Sequence, residues 1–236
     1  MEPPINETVA DCVRLVLSNI RRAAERAGRP VQHIRLVAVT KTVTLDRIQQ
    51  GLDAGLAILG ESRLQEAVPK ITALRQAAAT WHFIGRLQRR KVPSVIGVFD
   101  LIHSVDSLAL AQDVDRRAAG VAHKQDVLLE VNIGNEPAKT GFRPEEIVGV
   151  VPLMAALSHI RIRGLMAIPP PVSQAEQARP YFRHLRALAD RIEALGLPTI
   201  AMDELSMGMS NDYEVAIEEG ATLVRVGTAI FGARHV

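Results

Sequence analysis

The chain has 236 residues, 47% hydrophobic, 23% charged and 3% aromatic, with a formal net charge of +2. This is the composition of a globular protein with a sizeable core; the small net charge gives no electrostatic case for a polyanionic partner, and the aromatics are too few for a base-stacking platform, so nucleic acid is excluded from the expected partners. The single Cys12 cannot form an internal disulfide, no apolar run approaches a membrane span, and the opening "MEPPINETVADC" lacks the apolar core of a signal peptide, so a cytoplasmic protein without a membrane segment is expected.

Residues 6–27 place Val9, Val13, Val16, Leu17, Ile20, Ala24 and Ala27 at helical spacing and stop at Gly28. Short apolar runs follow at 36–40, 56–59, 81–84, 99–102, 127–131, 160–168, 203–206 and 222–226. Amphipathic stretches at 44–54, 61–78, 106–119, 144–157 and 173–195 separate them. Strands divided by helices pair in parallel, because a parallel pair needs a crossover and is covered on both faces. About eight such strands in a chain of this size predict one (β/α)8 TIM barrel spanning 1–236, with no linker or composition break to mark a second domain. After the last strand only "GTAIFGARHV" remains, too short for a regular barrel helix, so the extra N-terminal helix is expected to fill that place in the outer ring. The alternative, an open doubly wound sheet, finds no G-x-G-x-x-G after the first strand.

Barrels bind ligands at the C-terminal ends of their strands, often with phosphate in the loops after strands seven and eight. The first strand ends in "LVAVTK", which puts Lys41 at its tip. Strand seven runs into "LSMGMSND", offering Ser206, Met207, Gly208 and Ser210, and strand eight into Gly227 and Thr228. Glycine lets backbone N–H groups approach an anion, and hydroxyls add donors. Each motif alone reads first as a cap or tight turn; their joint occurrence at the expected barrel positions favours a phosphate cup. A lysine facing such a cup suits a phosphorylated aldehyde or ketone held as a Schiff base. Pyridoxal 5′-phosphate is the leading candidate; a sugar phosphate handled by an isomerase or aldolase remains open at this point. Arg225 shares a strand face with Leu223 and Gly227, and near a pyridine nitrogen it would disfavour protonation of that nitrogen. His82, between Trp81 and Phe83, reads first as a hydrogen-bonded core histidine. Glu130 and Asn132 are expected to line the barrel interior, with no partner for Glu130 evident. Arg86, Arg89, Arg90 and Lys91 form a basic run, read as a solvated helix face beside the barrel mouth.

The segments "LVAVTKTV", "GESRLQEA", "WHFIGRLQRRK", "HSVDS", "VNIGNEPAKTGF", "RGLMAI" and "LSMGMSNDYEVAIEEGATLVRVGTAIFG" resemble, in order and spacing, the pyridoxal phosphate homeostasis protein family from about residue 36 to 234. That family is similar to the barrel domain of alanine racemase standing alone. The resemblance implies pyridoxal 5′-phosphate held covalently on Lys41, its phosphate on the Ser206–Ser210 loop and Gly227–Thr228, and Arg225 beside the ring. Ser62 and His82 join the candidate cofactor neighbours. Ser62 stands where the family usually has asparagine, Arg86 where histidine is common and Arg90 where asparagine is common. The implied role is a carrier that buffers this cofactor and related B6 vitamers and supplies acceptor enzymes, without established catalysis; a weak amino-acid racemase or decarboxylase is the alternative. A racemase needs a proton donor and acceptor on opposite faces of the substrate. Tyr181 and Tyr213, the only tyrosines, fall in expected helices away from the strand tips, and no segment is left for a dimer-completing domain, so a monomer without turnover is expected.

Overall fold

The computed structural model describes residues 8–232, so the first two residues of the helix expected over 6–27 lie outside the described residues. The first helix, α1 (Val9–Arg26), starts at Thr8, whose hydroxyl accepts a hydrogen bond from the Asp11 amide while the Asp11 carboxylate accepts one from the Thr8 amide. This reciprocal box satisfies two of the amides that every helix start leaves open. The rest alternates: β1 (Arg35–Val39), α2 (Leu45–Asp53), β2 (Ile58–Glu61), α3 (Leu64–Ala73), β3 (Thr80–Phe83), β4 (Leu101–Val105), α4 (Leu108–Ala119), β5 (Gln125–Val131), α5 (Ile147–Met154), β6 (Ile160–Ala167), α6 (Arg179–Glu193), β7 (Ile200–Ser206), α7 (Tyr213–Glu218), β8 (Leu223–Val226) and α8 (Thr228–Phe231). The strands close in sequence order into a parallel barrel, sealed by β8 on β1 with Val37 opposite Arg225. This is the TIM-barrel architecture expected from the pattern. Helix α8 is a single turn, and α1 packs against α7, α8 and α2, filling the outer-ring gap that the short C-terminal segment predicts.

Two strands begin and end about two residues later than their apolar runs. The run over 56–59 becomes Ile58–Glu61 because Glu61 is buried and continues the β2–β3 pairing opposite Phe83. The run over 99–102 becomes Leu101–Val105; Phe99 precedes the strand and packs edge-on against Phe83, ring centres 5.2 Å apart. Between β3 and β4 the basic run enters a 3₁₀ helix, Arg89–Ser94, rather than an α-helix. Arg89 there pairs with Asp113 of α4.

Two cores stabilise the barrel. Val37, Ile58, Leu101, Leu128, Met166 and Leu223 meet inside it, while the alternate strand residues join the helices in the larger outer core. Gly164 is needed where the β6–β7 pairing shifts register. Its φ is +153°, and a Cβ there would lie 1.9 Å from the Glu204 carbonyl oxygen of the adjacent strand. Gly164→Ala is therefore expected to cost about 3 kcal/mol or more, through backbone displacement plus strain, read as a lowered chemical-denaturation midpoint at unchanged slope.

Candidate functional site

Lys41 stands two residues beyond the end of β1, half-buried, on the wall of a cavity of about 360 Å³. The same cavity is lined by Val39, Thr42, Arg47 and, from the end of β8, Gly227 and Thr228. Closure of β8 onto β1 is what brings the two ends of the chain together there.

The loop after β7 forms the adjoining wall. Gly208 has φ +88°, and a Cβ would come within 2.5 Å of the Ala216 side chain, so only glycine lets this loop lie flat on α7. Its carbonyl accepts the Arg225 amide at 3.0 Å. The Met209 amide donates to Asp212 Oδ1 at 2.6 Å, closing the loop ahead of α7; burial raises the Asp212 carboxyl above its ordinary range. Ser210 Oγ then receives the amides of Gly227 and Ala229, both at 3.4 Å. These bonds are at the long limit for N–H···O geometry. Two backbone donors thus converge on one hydroxyl oxygen from the turn between β8 and α8, an arrangement that suits an anion's oxygen better than it suits serine. Met207 is fully buried beneath the loop. Ser62 is partly buried just beyond β2, where its carbonyl runs so close to Gly85 that a Cβ there would meet it at 2.2 Å.

Inside the barrel, below this mouth, runs a chain of buried polar groups. Arg225 donates from Nη1 to Ser206 Oγ (2.5 Å) and from Nη2 to the Ala167 carbonyl (3.0 Å). Ser206 Oγ is 2.9 Å from His103 Nδ1, and His103 Nε2 is 3.0 Å from His82 Nδ1. Guanidinium can only donate. With one Ser206 lone pair taken by Arg225, satisfying every member requires the hydroxyl proton to go to His103 Nδ1, and His103 Nε2–H to His82 Nδ1. The direction of donation fixes both tautomers. Burial, aided by the positive charge of Arg35, pushes the His82 imidazole down to about 3, and burial and then neighbouring His82 hold His103 well below the ordinary histidine range. Both are neutral at pH 7. Because the unfolded chain takes up protons near pH 6.5 that the folded imidazoles refuse, their contribution to stability is present above that pH and lost as pH falls below it. His82 therefore belongs to this interior chain and does not line the Lys41 cavity. His103 has no place among the sequence candidates, although the alternation Leu101, His103 in "LIHSV" puts it on the inward face.

Burial lowers the Arg225 guanidinium to about 10, opposed by the charges of Asp212 and Glu130, and it stays a cation at neutral pH. Glu130 lines a second cavity of about 250 Å³ with Asn132, Arg86 and Lys139, and the last two act on it through space as cations. Burial first, then the charge of Asp106, pushes its carboxyl up to about 7, against the pull of Arg225, Arg86 and Lys139. A folded acid that ionises higher than its unfolded form, ordinarily at 4.5, loses stability as pH rises between the two values. Glu130→Gln is expected to be near-neutral for stability at pH 4 and to stabilise by up to about 3 kcal/mol at pH 8; equal denaturation midpoints for the two proteins at pH 8 would refute the assignment.

A second buried cluster lies under Lys41. Glu61 Oε1 accepts the Thr40 hydroxyl (2.7 Å) and Lys70 Nζ (2.7 Å), and Lys70 Nζ also donates to the Thr40 carbonyl (2.7 Å). Glu61 Oε2 is buried and, among the described residues, has no hydrogen-bond partner. No sequence candidate anticipated Lys70, though Leu64, Ala67 and Lys70 recur at helical spacing on one buried face of α3. Among the described residues no group of histidine, cysteine and carboxylate side chains could hold a metal ion, and no helix is long and apolar enough to cross a membrane.

The fold and the mouth define a parallel (β/α)8 barrel with a lysine and two converging backbone amides at the seam between its first and last strands. The family model for the alanine racemase N-terminal domain matches residues 14–235. A pyridoxal phosphate homeostasis protein of Aquifex aeolicus is 45% identical over 94% of this chain and 98% of its own length; one of Pseudomonas aeruginosa is 40% identical over 96% of each. Among solved structures, PipY of Synechococcus elongatus with PLP bound superposes with a TM-score of 0.79 at 35% identity, over 91% of this chain and all of that one. Alanine racemase of Clostridium difficile superposes with a TM-score of 0.70 at 17% identity, this chain covering 58% of it, a likeness of fold alone. The chain belongs to the pyridoxal phosphate homeostasis protein family, built on the alanine racemase N-terminal domain.

Proposed function

We propose that this chain binds pyridoxal 5′-phosphate as a Schiff base on Lys41 and buffers and supplies the cofactor without turning over a substrate of its own. The observation that carries the reading is that Lys41 and the Gly227–Thr228 turn line one cavity, with the Gly227 and Ala229 amides converging beside it. The donor set fits the group. Ser210, Gly227 and Thr228 would hold the phosphate, the Ser206–Gly208 segment would shape the loop beneath it, and Arg225 would face the ring. Bound there, the cofactor supplies an aldehyde for condensation with an amine and a ring able to delocalise negative charge. A buried guanidinium in place of a carboxylate opposes protonation of the ring nitrogen, which weakens that delocalisation and suits storage better than turnover.

The tyrosines support the same reading. Neither lines the Lys41 cavity, and the Tyr213 hydroxyl accepts from Asn19 of α1, on the outer side of the barrel. Glu130, titrating near neutrality, is the one feature that favours weak racemase or decarboxylase chemistry. Following α-proton exchange of a panel of amino acids in deuterated water separates the two readings: exchange no faster than with free cofactor is expected, and faster exchange counts for the enzyme. The test of the binding itself is a peptide map after borohydride reduction of protein loaded with the cofactor, with the label expected on Lys41. The proposal extends to a single-domain cytoplasmic monomer that hands pyridoxal 5′-phosphate and related vitamers to PLP-dependent acceptor enzymes.

A further inference from the structure

We infer that β2 and α3 form a clamp that sets the direction of Lys41, with Glu61, Glu66 and Lys70 as its positioning residues; the inference rests on the Lys41 reading above. The backbone on both sides of Lys41 is held by this one segment. On the N-terminal side, Lys70 Nζ grips the Thr40 carbonyl and Glu61 grips the Thr40 hydroxyl, each at 2.7 Å. On the C-terminal side, Glu66 Oε2 accepts the Thr42 amide at 2.8 Å. Lys70 Nζ lies 3.8 Å from Glu66, so the two grips share one charge network.

What they hold is a strained turn. Thr42 has φ +63°, a left-handed conformation that is unfavourable for a β-branched residue. Such a conformation persists where the surroundings over-determine it, and here the surroundings are the grips on residues 40 and 42. Glu61 and Lys70 are buried, so their pair is shielded from the screening that weakens surface ion pairs. Thr42, which the network holds, lines the cavity that Lys41 and Gly227 share, whereas Glu61, Glu66 and Lys70 do not. Its action on the site is therefore indirect, through the backbone that carries the lysine.

Glu66 gives the cleanest test because it is partly exposed, so its loss leaves no buried charge unpaired. In apo-protein, Glu66→Ala is expected to speed amide exchange at Thr42 while leaving the denaturation midpoint near wild type. It is also expected to weaken cofactor binding about tenfold, because the released turn would hold the lysine in its competent direction only about a tenth of the time and binding must restore it. Glu66→Gln, which keeps an acceptor for the Thr42 amide, is expected to restore most of both losses. The double variant Glu61→Gln/Lys70→Met removes the buried pair without leaving either charge alone, and faster exchange across residues 40–43 is expected there too. Wild-type exchange and affinity in Glu66→Ala, in protein shown to be folded, would overturn the clamp. So would a loss that Glu66→Gln fails to recover. Should wild-type protein take no label on Lys41 at all, the proposed function fails, and the exchange measurement on apo-protein still decides whether the clamp exists.

Discussion

Lys41→Ala is expected to abolish borohydride-fixed label on the protein and to weaken binding of pyridoxal 5′-phosphate at least about 100-fold, since only non-covalent contacts remain. Lys41→Arg is expected to behave the same way, because it preserves the positive charge but offers no amine that can lose its proton and condense. The pair separates covalent capture from simple charge attraction: if Lys41→Arg bound as tightly as wild type, phosphate attraction alone would account for affinity. Thermal midpoints of both variants are expected to stay close to wild type, because Lys41 is half-buried at the mouth of the barrel and outside both cores. Reappearance of the label on another lysine would remove the basis for the site.

Arg225→Met is expected to act on stability and on binding together. The guanidinium makes two hydrogen bonds inside the barrel, to Ser206 and to the Ala167 carbonyl. Replacing it with a thioether of similar length leaves both acceptors without that donor, at an expected cost of about 3 kcal/mol, or a fall in the thermal midpoint of roughly 10 °C for a chain of this size. Loss of the Ser206 contact also frees the donation order through His103 and His82, so the imidazole tautomers should become mixed, visible in the nitrogen chemical shifts of the two rings. Cofactor affinity is expected to fall about 10- to 100-fold. The positive charge of Arg225 draws the Glu130 carboxyl downward, so in Arg225→Met that carboxyl should titrate still higher than about 7. Arg225→Lys keeps a charge but not the two-pronged reach, and is expected to hold Glu130 near its wild-type value while still losing affinity. An unchanged Glu130 titration in Arg225→Met would contradict the electrostatic coupling across the barrel mouth.

Much of this architecture is legible in the sequence. Apolar runs four to nine residues long, spaced by amphipathic segments, dictate a parallel sheet, and their number dictates closure. The shortness of "GTAIFGARHV" and the extra helix at the start predicted the α1 packing on α7 and α8 that the structure has. Two differences trace to polar residues inside strands, at the ends of β2 and β4; a third does not, since β7 starts at Ile200 although its run is expected over 203–206. Glu61 ends β2, a position that hydropathy alone assigns to a loop, because its charge is compensated by Lys70 some nine residues later. The Arg86–Lys91 run resolves into separate surroundings: Arg86 lines the Glu130 cavity, and Arg89 reaches Asp113.

The barrel, the lysine at the tip of β1 and the glycine and serine turns after β7 and β8 follow from the chain alone, because hydrophobic period and turn chemistry are local properties. Folding adds that Lys41 and Gly227 share one cavity at the β1–β8 seam, that Arg225, Ser206, His103 and His82 line up in one chain of hydrogen bonds, and that Lys70 grips the residue before Lys41. Those pairings join residues 19 to 186 positions apart, counting from Ser206–Arg225 and from Lys41–Gly227, and they depend on barrel register. A shift of one residue turns every inward side chain outward, so no local signal can encode them.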